Sequence, residues 1–450
     1  MSKPSLFDRY LQKYAASDGW KLIAAPAENI SQVVVIPAYA EREMLFSTLA
    51  SLARNHPQSL QYSFVLCVVN NKKDSPDEVK TNNLQTIECL RLLVEQKRLN
   101  YFPNNKDLKE SLQTISDAGL KLGYIDASTA GFEIPANAGG VGMARKIGMD
   151  MALRLLRNST SERKLILSLD ADTSVQSNYL MSVKKYFSRK VNTAVVAYEH
   201  AEPLSDNEKA AIYCYEIFLR YWILGLQYAK SPYAFHSIGS TIVCSTEAYL
   251  AVRGMNRREA GEDFYFLNKL AKIGDVGYVI ETCVYPSARP SLRVPFGTGK
   301  RIQRFLTGVQ EEYVLYNPRV FEILAAWLSL MKNPFLRDEK EILRKAALID
   351  PLLSSFLKDC KFAETWPKIS RNIKDENNLL RHFSGWFDGF KTLKLINYLS
   401  RESYAHINMF AALERLLKMR QISIPNFIEA ADHRDIAHQK KVLQYLRKIT

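Results

Sequence analysis

Short, continuously apolar runs alternate with segments of helical periodicity through the first half of the chain. Val33-Val34-Val35-Ile36 and Phe64-Val65-Leu66-Cys67-Val68-Val69 contain no polar position. Leu165–Leu169 and Thr193–Ala197 repeat the pattern, and Leu122–Asp126 is a shorter instance. Between these runs, apolar positions recur at helical spacing over Glu43–Asn55, Leu84–Gln96 and Gly142–Leu156. A strand with one wet face alternates polar and apolar side chains, whereas a strand covered on both faces is apolar throughout. Buried strands separated by helices predict an α/β domain with a doubly wound, mainly parallel, Rossmann-like sheet.

Beyond Phe305 the pattern changes. Strand-like runs stop, and helical segments dominate over Val320–Met331, Glu339–Leu348, Leu393–Ser400, Ile407–Met419 and Asp435–Ile449. The expected organisation is an N-terminal extension over residues 1–31, the α/β domain over 32–305 and a mostly α-helical C-terminal domain over 306–450. A chain of 450 residues suits one large domain with a substantial appendage.

Composition narrows the class without choosing a function. An apolar fraction of 47% and a charged fraction of 24% are those of a globular protein, not of a disordered chain. The net charge of +14 attracts nucleic acid, anionic membranes and phosphorylated ligands alike. The six cysteines stand far apart with no C-x-x-C pair, which argues against zinc ribbons and thioredoxin-like sites and for a reducing compartment. Asp8, Arg9 and Lys13 interrupt the N-terminus where a signal peptide needs an apolar core. The most apolar long stretch, Ile217–Tyr233, contains Arg220 and Lys230 and is a poor membrane span. A cytoplasmic protein is expected, with membrane contact at most peripheral; nucleic acid is not an expected partner.

In open parallel sheets, ligands bind outside the carboxyl ends of the strands. Four features fall at such ends. Pro37-Ala38-Tyr39-Ala40-Glu41 follows the first strand: Tyr39 can stack on a base and Glu41 can accept from a base or ribose, or Pro37 ends the strand and Glu41 opens a helix. Asn70-Asn71 follows the second, where amides read base edges or form turns. Gly139-Gly140-Val141-Gly142 leads into Arg145-Lys146, placing cations at a helix start where a diphosphate would sit. It lacks the Gly-Lys-Ser/Thr of a Walker A loop. Asp170-Ala171-Asp172 closes the strand Leu165–Leu169, and hard divalent cations are held by such carboxylates together with substrate phosphates. Further on, Gly261-Glu262-Asp263 opens a helical segment, with a carboxylate serving as general base or as helix-terminal charge. Ser237-Ile238-Gly239-Ser240-Thr241 either lines a substrate pocket or turns tightly into a strand.

Taken in order, these pieces resemble the family 2 glycosyltransferases, which have the GT-A fold, over roughly Gln32–Phe305. The family's Pro-x-Tyr/Phe-x-Glu is matched by Pro37, Tyr39 and Glu41. Its Ala-Arg-Asn-x-Gly is matched by Ala144-Arg145-Lys146-Ile147-Gly148, with Lys146 in place of Asn. The Asp-x-Asp (DXD) signature is matched by Asp170 and Asp172, and the Glu-Asp pair that supplies the base by Glu262 and Asp263. Asn70-Asn71 stands where the family has Asp-Asp or Asp-Asn, and Arg301-Ile302-Gln303-Arg304-Phe305 is a degenerate form of the Gln-x-x-Arg-Trp element of processive members.

The resemblance implies an enzyme that transfers a sugar from a nucleotide diphosphate sugar, a UDP-sugar first among them, to a carbohydrate, lipid or small-molecule hydroxyl. It implies a Mn2+ or Mg2+ cofactor held by Asp172 and Asp170, and Asp263, beside Glu262, as base of an inverting reaction. It assigns donor contacts to Pro37, Tyr39, Glu41, Asn71, Arg145, Asp170, Arg301 and Arg304, and acceptor contacts to Gly239 and Ser240. A retaining transferase on the same fold, a nucleotidyltransferase and a non-catalytic nucleotide-sugar or partner-binding module are the alternatives. From Thr282 to Gln310 there is no Asp or Glu, while Arg289, Arg293, Lys300, Arg301 and Arg304 all occur. A basic lid over Val294–Lys300 that closes on the donor is one expectation from that pattern; a solvated basic loop is the other.

Overall fold

The two longest apolar runs of the sequence form the centre of the fold. A computed structural model describes residues 5–16, 19–26, 29–96, 105–138, 140–290, 297–333, 335–371, 373–429 and 435–450. Every residue of Gln32–Ala38 and of Ser63–Asn70 is buried. A polar side chain in such a strand must find its partner inside; the Gln32 amide donates to Ser63 Oγ at 2.7 Å.

Two compact units are present, Met1–Ala201 with Ser237–Ser287, and Glu202–His236 with Ala288–Thr450. The first opens with α1 (Leu6–Lys13) and the short strand β1 (Leu22–Ile23). It continues with β2 (Gln32–Ala38), α2 (Arg42–Ala53), α3 (Pro57–Gln61), β3 (Ser63–Asn70), α4 (Asp77–Val94), α5 (Lys106–Asp117) and β4 (Leu122–Ala127). Next come α6 (Gly140–Leu156), β5 (Leu165–Ser168), β6 (Thr173–Val175), α7 (Tyr179–Phe187) and β7 (Thr193–Tyr198). The chain leaves for α8 (Asp206–Tyr228) in the second unit and returns for β8 (Ile242–Ser245), α9 (Thr246–Ala251), α10 (Glu262–Leu270) and β9 (Gly277–Pro286).

The strands make one nine-stranded sheet in the order β1-β4-β3-β2-β5-β8-β7-β9-β6. β4, β3, β2 and β5 run parallel, as their apolar patterning predicts. β8 enters antiparallel between β5 and β7, β7 pairs parallel with β9, and β1 and β6 close the edges antiparallel. The sheet is thus mixed beyond β5, because a buried strand has the same pattern in either direction. Pro37, expected to end the first strand, lies inside β2 opposite Val68, past the point where β5 stops pairing.

Strand order also fixes where a ligand can sit. β2, β3 and β4 step outward in sequence, and β5 then returns to the other side of β2. Such a reversal opens a crevice at the carboxyl ends of the two strands beside it. Here those ends carry Tyr39 and Glu41 on one side and Asp170 and Asp172 on the other.

Packing draws in residues that the sequence pattern sets apart. The N-terminal residues expected as an extension belong to the first unit, with β1 paired to β4. The apolar stretch near Ile217 lies in α8 and packs in the second unit, as do the described residues from Ala288 onward. A helix apolar around most of its circumference needs neighbours on several sides; α8 finds them in α11 (Thr298–Thr307), α12 (Arg319–Leu330), α18 (Met409–Met419) and α20 (Ile436–Ile449). Between them lie β10 (Val314–Leu315), α13 (Glu339–Ile349), α14 (Pro351–Asp359), α15 (Phe362–Ser370), α16 (Glu376–Trp386), α17 (Gly389–Glu402) and β11 (Ile407–Asn408), with the short α19 (Asn426–Glu429) before α20. The fully buried Trp327 organises this core, edge-on to Phe362, Phe383 and Phe387 at 5.6–5.8 Å. Among the described residues, no helix is long and apolar enough to cross a membrane.

Helix α6 packs across β2, β3 and β5. It approaches closely because Gly148 has no side chain: a Cβ there would lie 2.4 Å from Val35 Cγ1 and 2.9 Å from Val68 Cγ2. Gly148→Val should therefore destabilise the protein by ~1–3 kcal/mol through overpacking, read as a lower urea midpoint with an unchanged m-value. Wild-type stability would mean that α6 is free to shift.

Candidate active site

The loop after β5 is shaped by its backbone. Leu169 N–H donates to Val35 C=O at 3.0 Å, extending the β2–β5 ladder by one residue. Each carbonyl of the next three residues then accepts one bond: Asp170 from Thr173 N–H at 3.2 Å, Ala171 from Thr48 Oγ1 of α2 at 2.9 Å, and Asp172 from Ser287 N–H at 3.1 Å. Ala171 is buried under this frame, while Asp170 and Asp172 are half-buried at its edge.

Arg145 joins this loop to two others. It lies near the start of α6, 4% exposed, and its guanidinium pairs with Asp170 Oδ1 through Nη2 and with Glu262 Oε1 through Nη1. Glu262, 3% exposed, opens α10 after Gly261, whose φ of +69° favours glycine. Gly239 lies against the same guanidinium: a Cβ there would sit 2.3 Å from Arg145 Nη2 and 2.8 Å from Cζ. Beside it, Ser240 is fully buried with a hydroxyl that has no partner. Motifs from four separated stretches thus meet at one cation.

Asp263, the next residue after Glu262, is half-buried and accepts the Phe264 N–H on Oδ1 at 2.7 Å. Burial pushes its pKa above the ordinary carboxylate value; the Arg145 charge and the Phe264 amide pull it back, and Asp170 pushes it up again. A carboxylate so placed is a better proton acceptor than one in water.

Asp170 and Asp172 offer only oxygen donors, the ligand type of Mg2+ and Mn2+. One Asp170 oxygen is engaged by Arg145, and no group of three or more ligating side chains gathers among the described residues. The pair fits a cation that keeps waters and takes its remaining ligands from a substrate phosphate.

At the end of β2, Tyr39 Oη donates to Ser75 Oγ at 3.4 Å. Ala40 takes a left-handed φ of +52° and its N–H is held by Asn83 Oδ1 at 2.9 Å, while Glu41 is buried just before α2. Asn71, just past β3, is hydrogen-bonded to its surroundings on both sides of its amide. Its Nδ2 donates to the carbonyls of Lys72 and Ser128 at 3.1 and 3.2 Å, and its Oδ1 accepts from Asn83 Nδ2 at 2.8 Å. Its amide is committed to the scaffold. Asn83, which ties together the loops after β2 and β3, was not singled out from sequence; two adjacent Asn inside a helical segment, Asn82-Asn83, were the available signal.

Arg301 and Arg304 lie on α11 in the second unit, where Glu312 accepts both, Arg301 at 2.9 Å. Val294, Pro295 and Phe296 of the expected lid, and Arg293 before it, lie outside the described residues.

No family model matches the chain, and no curated protein matches it. Among solved structures it is similar to TarS 1–349 of S. aureus in complex with UDP-GlcNAc, at 14% identity over 93% of this chain and 92% of that one, with a TM-score of 0.36. It is also similar to the mannosyltransferase PcManGT from Pyrobaculum calidifontis in complex with GDP-Man and Mn2+, at 13% identity over 84% of this chain and 92% of that one, with a TM-score of 0.36. Likeness at this level carries no argument about this chain, and its function is read from the site.

Arg145→Met should destabilise the protein by about 3–5 kcal/mol, since it leaves the buried Glu262 carboxylate without its cation. The double variant Arg145→Met/Glu262→Gln should recover part of that loss in denaturant titrations; no recovery would show that Glu262 is not the group Arg145 neutralises. Asp263 generates a second expectation. With its folded-state pKa raised, the folded protein holds that proton more tightly than the unfolded chain, so stability falls as pH rises through the folded pKa. Asp263→Asn should then be more stable than wild type at pH ~7, with the gain vanishing below the ordinary carboxylate pKa of 3.8. An equal or lower stability at neutral pH would contradict the burial argument.

Proposed function

We propose that the chain is a glycosyltransferase of family 2 character and GT-A fold, moving a sugar from a nucleotide diphosphate sugar to an acceptor hydroxyl with inversion. A UDP-sugar is the first donor to test, and the acceptor is a carbohydrate, lipid or small-molecule hydroxyl. One observation carries the reading: the buried Arg145 guanidinium gathers Asp170, Glu262 and Gly239 beside the β2–β5 reversal. An acidic turn, a glycine turn and a helix-terminal carboxylate each have a plain structural explanation alone. Their convergence on one cation at a ligand-binding edge supports a site.

In this reading Tyr39 and Glu41 face the nucleoside. Asp172, with Asp170, would hold Mg2+ or Mn2+, which supplies positive charge to the diphosphate when bound. Arg145 orients Asp170 and Glu262, so the acidic residues keep their spacing without repelling one another. Asp263 takes the proton of the acceptor hydroxyl on its carboxylate as the hydroxyl oxygen bonds to the anomeric carbon. The bond from that carbon to the phosphate oxygen breaks, its electron pair leaves on the diphosphate, and in-line displacement inverts the anomeric centre.

Asp263→Asn should lower kcat by on the order of 10²-fold or more with donor affinity nearly kept. Asp172→Asn should instead abolish manganese-dependent binding of UDP in calorimetry while the variant stays folded. Near-wild-type turnover in the first, unchanged metal-dependent affinity in the second, or an NMR-observed product with retained configuration would each overturn the corresponding assignment.

A further inference from the structure

Lys146 stands where the family resemblance calls for Asn, directly after Arg145, and it enters a separate buried cluster. It is 2% exposed, pairs with Asp150 Oδ2 at 3.1 Å and donates to Tyr10 Oη at 2.9 Å. Asp150 Oδ1 accepts the hydroxyls of Tyr10 at 2.5 Å and Tyr249 at 2.6 Å, and Oδ2 accepts Ala16 N–H at 2.7 Å. Both oxygens of this 3%-exposed carboxylate are saturated, two of their four partners coming from the N-terminal segment.

That segment has few other anchors on the helix. Tyr10 is the only buried residue of α1. Further along, a cavity of about 390 Å³ is lined jointly by Ala16, Trp20 and Leu22 and by Ile147, Met151 and Arg154 of α6. Buried attachment to α6 is therefore polar and centred on Asp150, and a second, exposed anchor lies just past the helix, where Arg157 pairs with Asp8 at 3.1 Å and lies over the Phe7 ring at 4.6 Å.

The same tyrosine reaches the other support of the site. Gly254, φ +69°, lies against both phenols: a Cβ there would sit 2.1 Å from Tyr10 Oη and 3.0 Å from Tyr249 Oη. Arg257 Nη2 donates to Ala15 C=O at 3.3 Å. One residue on, Arg258 C=O accepts Gly142 N–H at 3.2 Å, tying this loop to the first turn of α6. The loop then runs into Gly261-Glu262-Asp263.

We propose that the N-terminal segment is a positioning element of the active site. Tyr10, acting through Asp150 and Lys146 on α6 and against Gly254 ahead of α10, keeps Arg145 and Glu262 in register. The catalytic consequence rests on the glycosyltransferase reading; the mechanical one does not. A guanidinium that must meet carboxylates on two different elements tolerates little rotation of either.

The test uses the full chain and two independent readouts. Hydrogen exchange of Tyr10→Phe should show about tenfold faster exchange than wild type over residues 140–147 and 254–263, with β2 and β3 unchanged. Arg257→Gln, which loosens only the loop, should accelerate 254–263 alone. Leu112→Val, a truncation buried on α5, should accelerate neither segment and controls for general destabilisation. In parallel, Tyr10→Phe should lower kcat by about tenfold with the donor KM within about twofold of wild type. Wild-type exchange at both segments in Tyr10→Phe, or the same acceleration in Leu112→Val, would overturn the proposal. A wild-type chain that transfers no sugar would instead overturn the glycosyltransferase reading, and the exchange data would still decide the positioning role.

Discussion

The first unit is organised around a charge that it cannot expose. Arg145 is buried, and a buried guanidinium is tolerable only when its charge is met by carboxylates. Asp170 and Glu262 meet it through Nη2 and Nη1 from two separate loops, while Nε is left without a partner. The requirement is mutual, because Glu262 is as buried as Arg145. Each partner explains features around it. Gly239 is bare because the guanidinium occupies the space of a side chain, and Gly261 takes a left-handed conformation so that α10 can begin with Glu262 inward. Asp263 then falls at a position where burial and the two neighbouring charges compete over its proton.

Much of the sheet was legible in the sequence, and the reason is burial. β2 and β3 are apolar throughout because no face of them meets water, so run length and position could be read directly. The antiparallel entry of β8 was not legible, since strand direction depends on where α8 carries the chain. Helices α14, α15 and α16 were also missed, although Leu352, Leu353, Phe356 and Leu357 of α14 and Leu379, Leu380 and Phe383 of α16 recur at helical spacing. Most helix starts of the second unit were also written locally. Asp338, Asp350, Asp375, Asp388, Asn408 and Asp435 each accept a backbone N–H of the first turn of the helix they precede. Reading those caps before reading periodicity would have marked the starts of α14 and α16, though not that of α15, which follows Lys361 and lacks a side-chain cap.

The site divides in the same way. Asp170, Glu262 and Gly239 were recognisable because each sits at the edge of an element, where a charged or glycine residue breaks an apolar pattern; Arg145, the sixth residue of α6, was found through the Ala-Arg resemblance instead. The partners that hold them were not. Thr48, Asn83 and Tyr10 lie within helices, where one polar or aromatic residue breaks no pattern. Asn71 shows what the sequence leaves open. An amide at a strand end has the chemistry to read a base, but here its donors and acceptor are spent on neighbouring backbone and on Asn83. Local sequence shows what a side chain can bond, and only the packed chain shows what it does bond.

The return of β5 to the side of β2 has a metric consequence. Adjacent strands in a sheet lie ~4.8 Å apart, a spacing set by the peptide hydrogen bond and indifferent to side chains. The ladder continues through Leu169 to Val35 and stops one residue short of Asp170. The distance between β2 and β5 is therefore set by backbone chemistry as far as Leu169, and Pro37 to Glu41 run on beyond the last rung. Beyond it the two banks are held by side chains of the neighbouring helices, Asn83 at Ala40 and Thr48 at Ala171, so the width between them is a property of those contacts and not of the ladder.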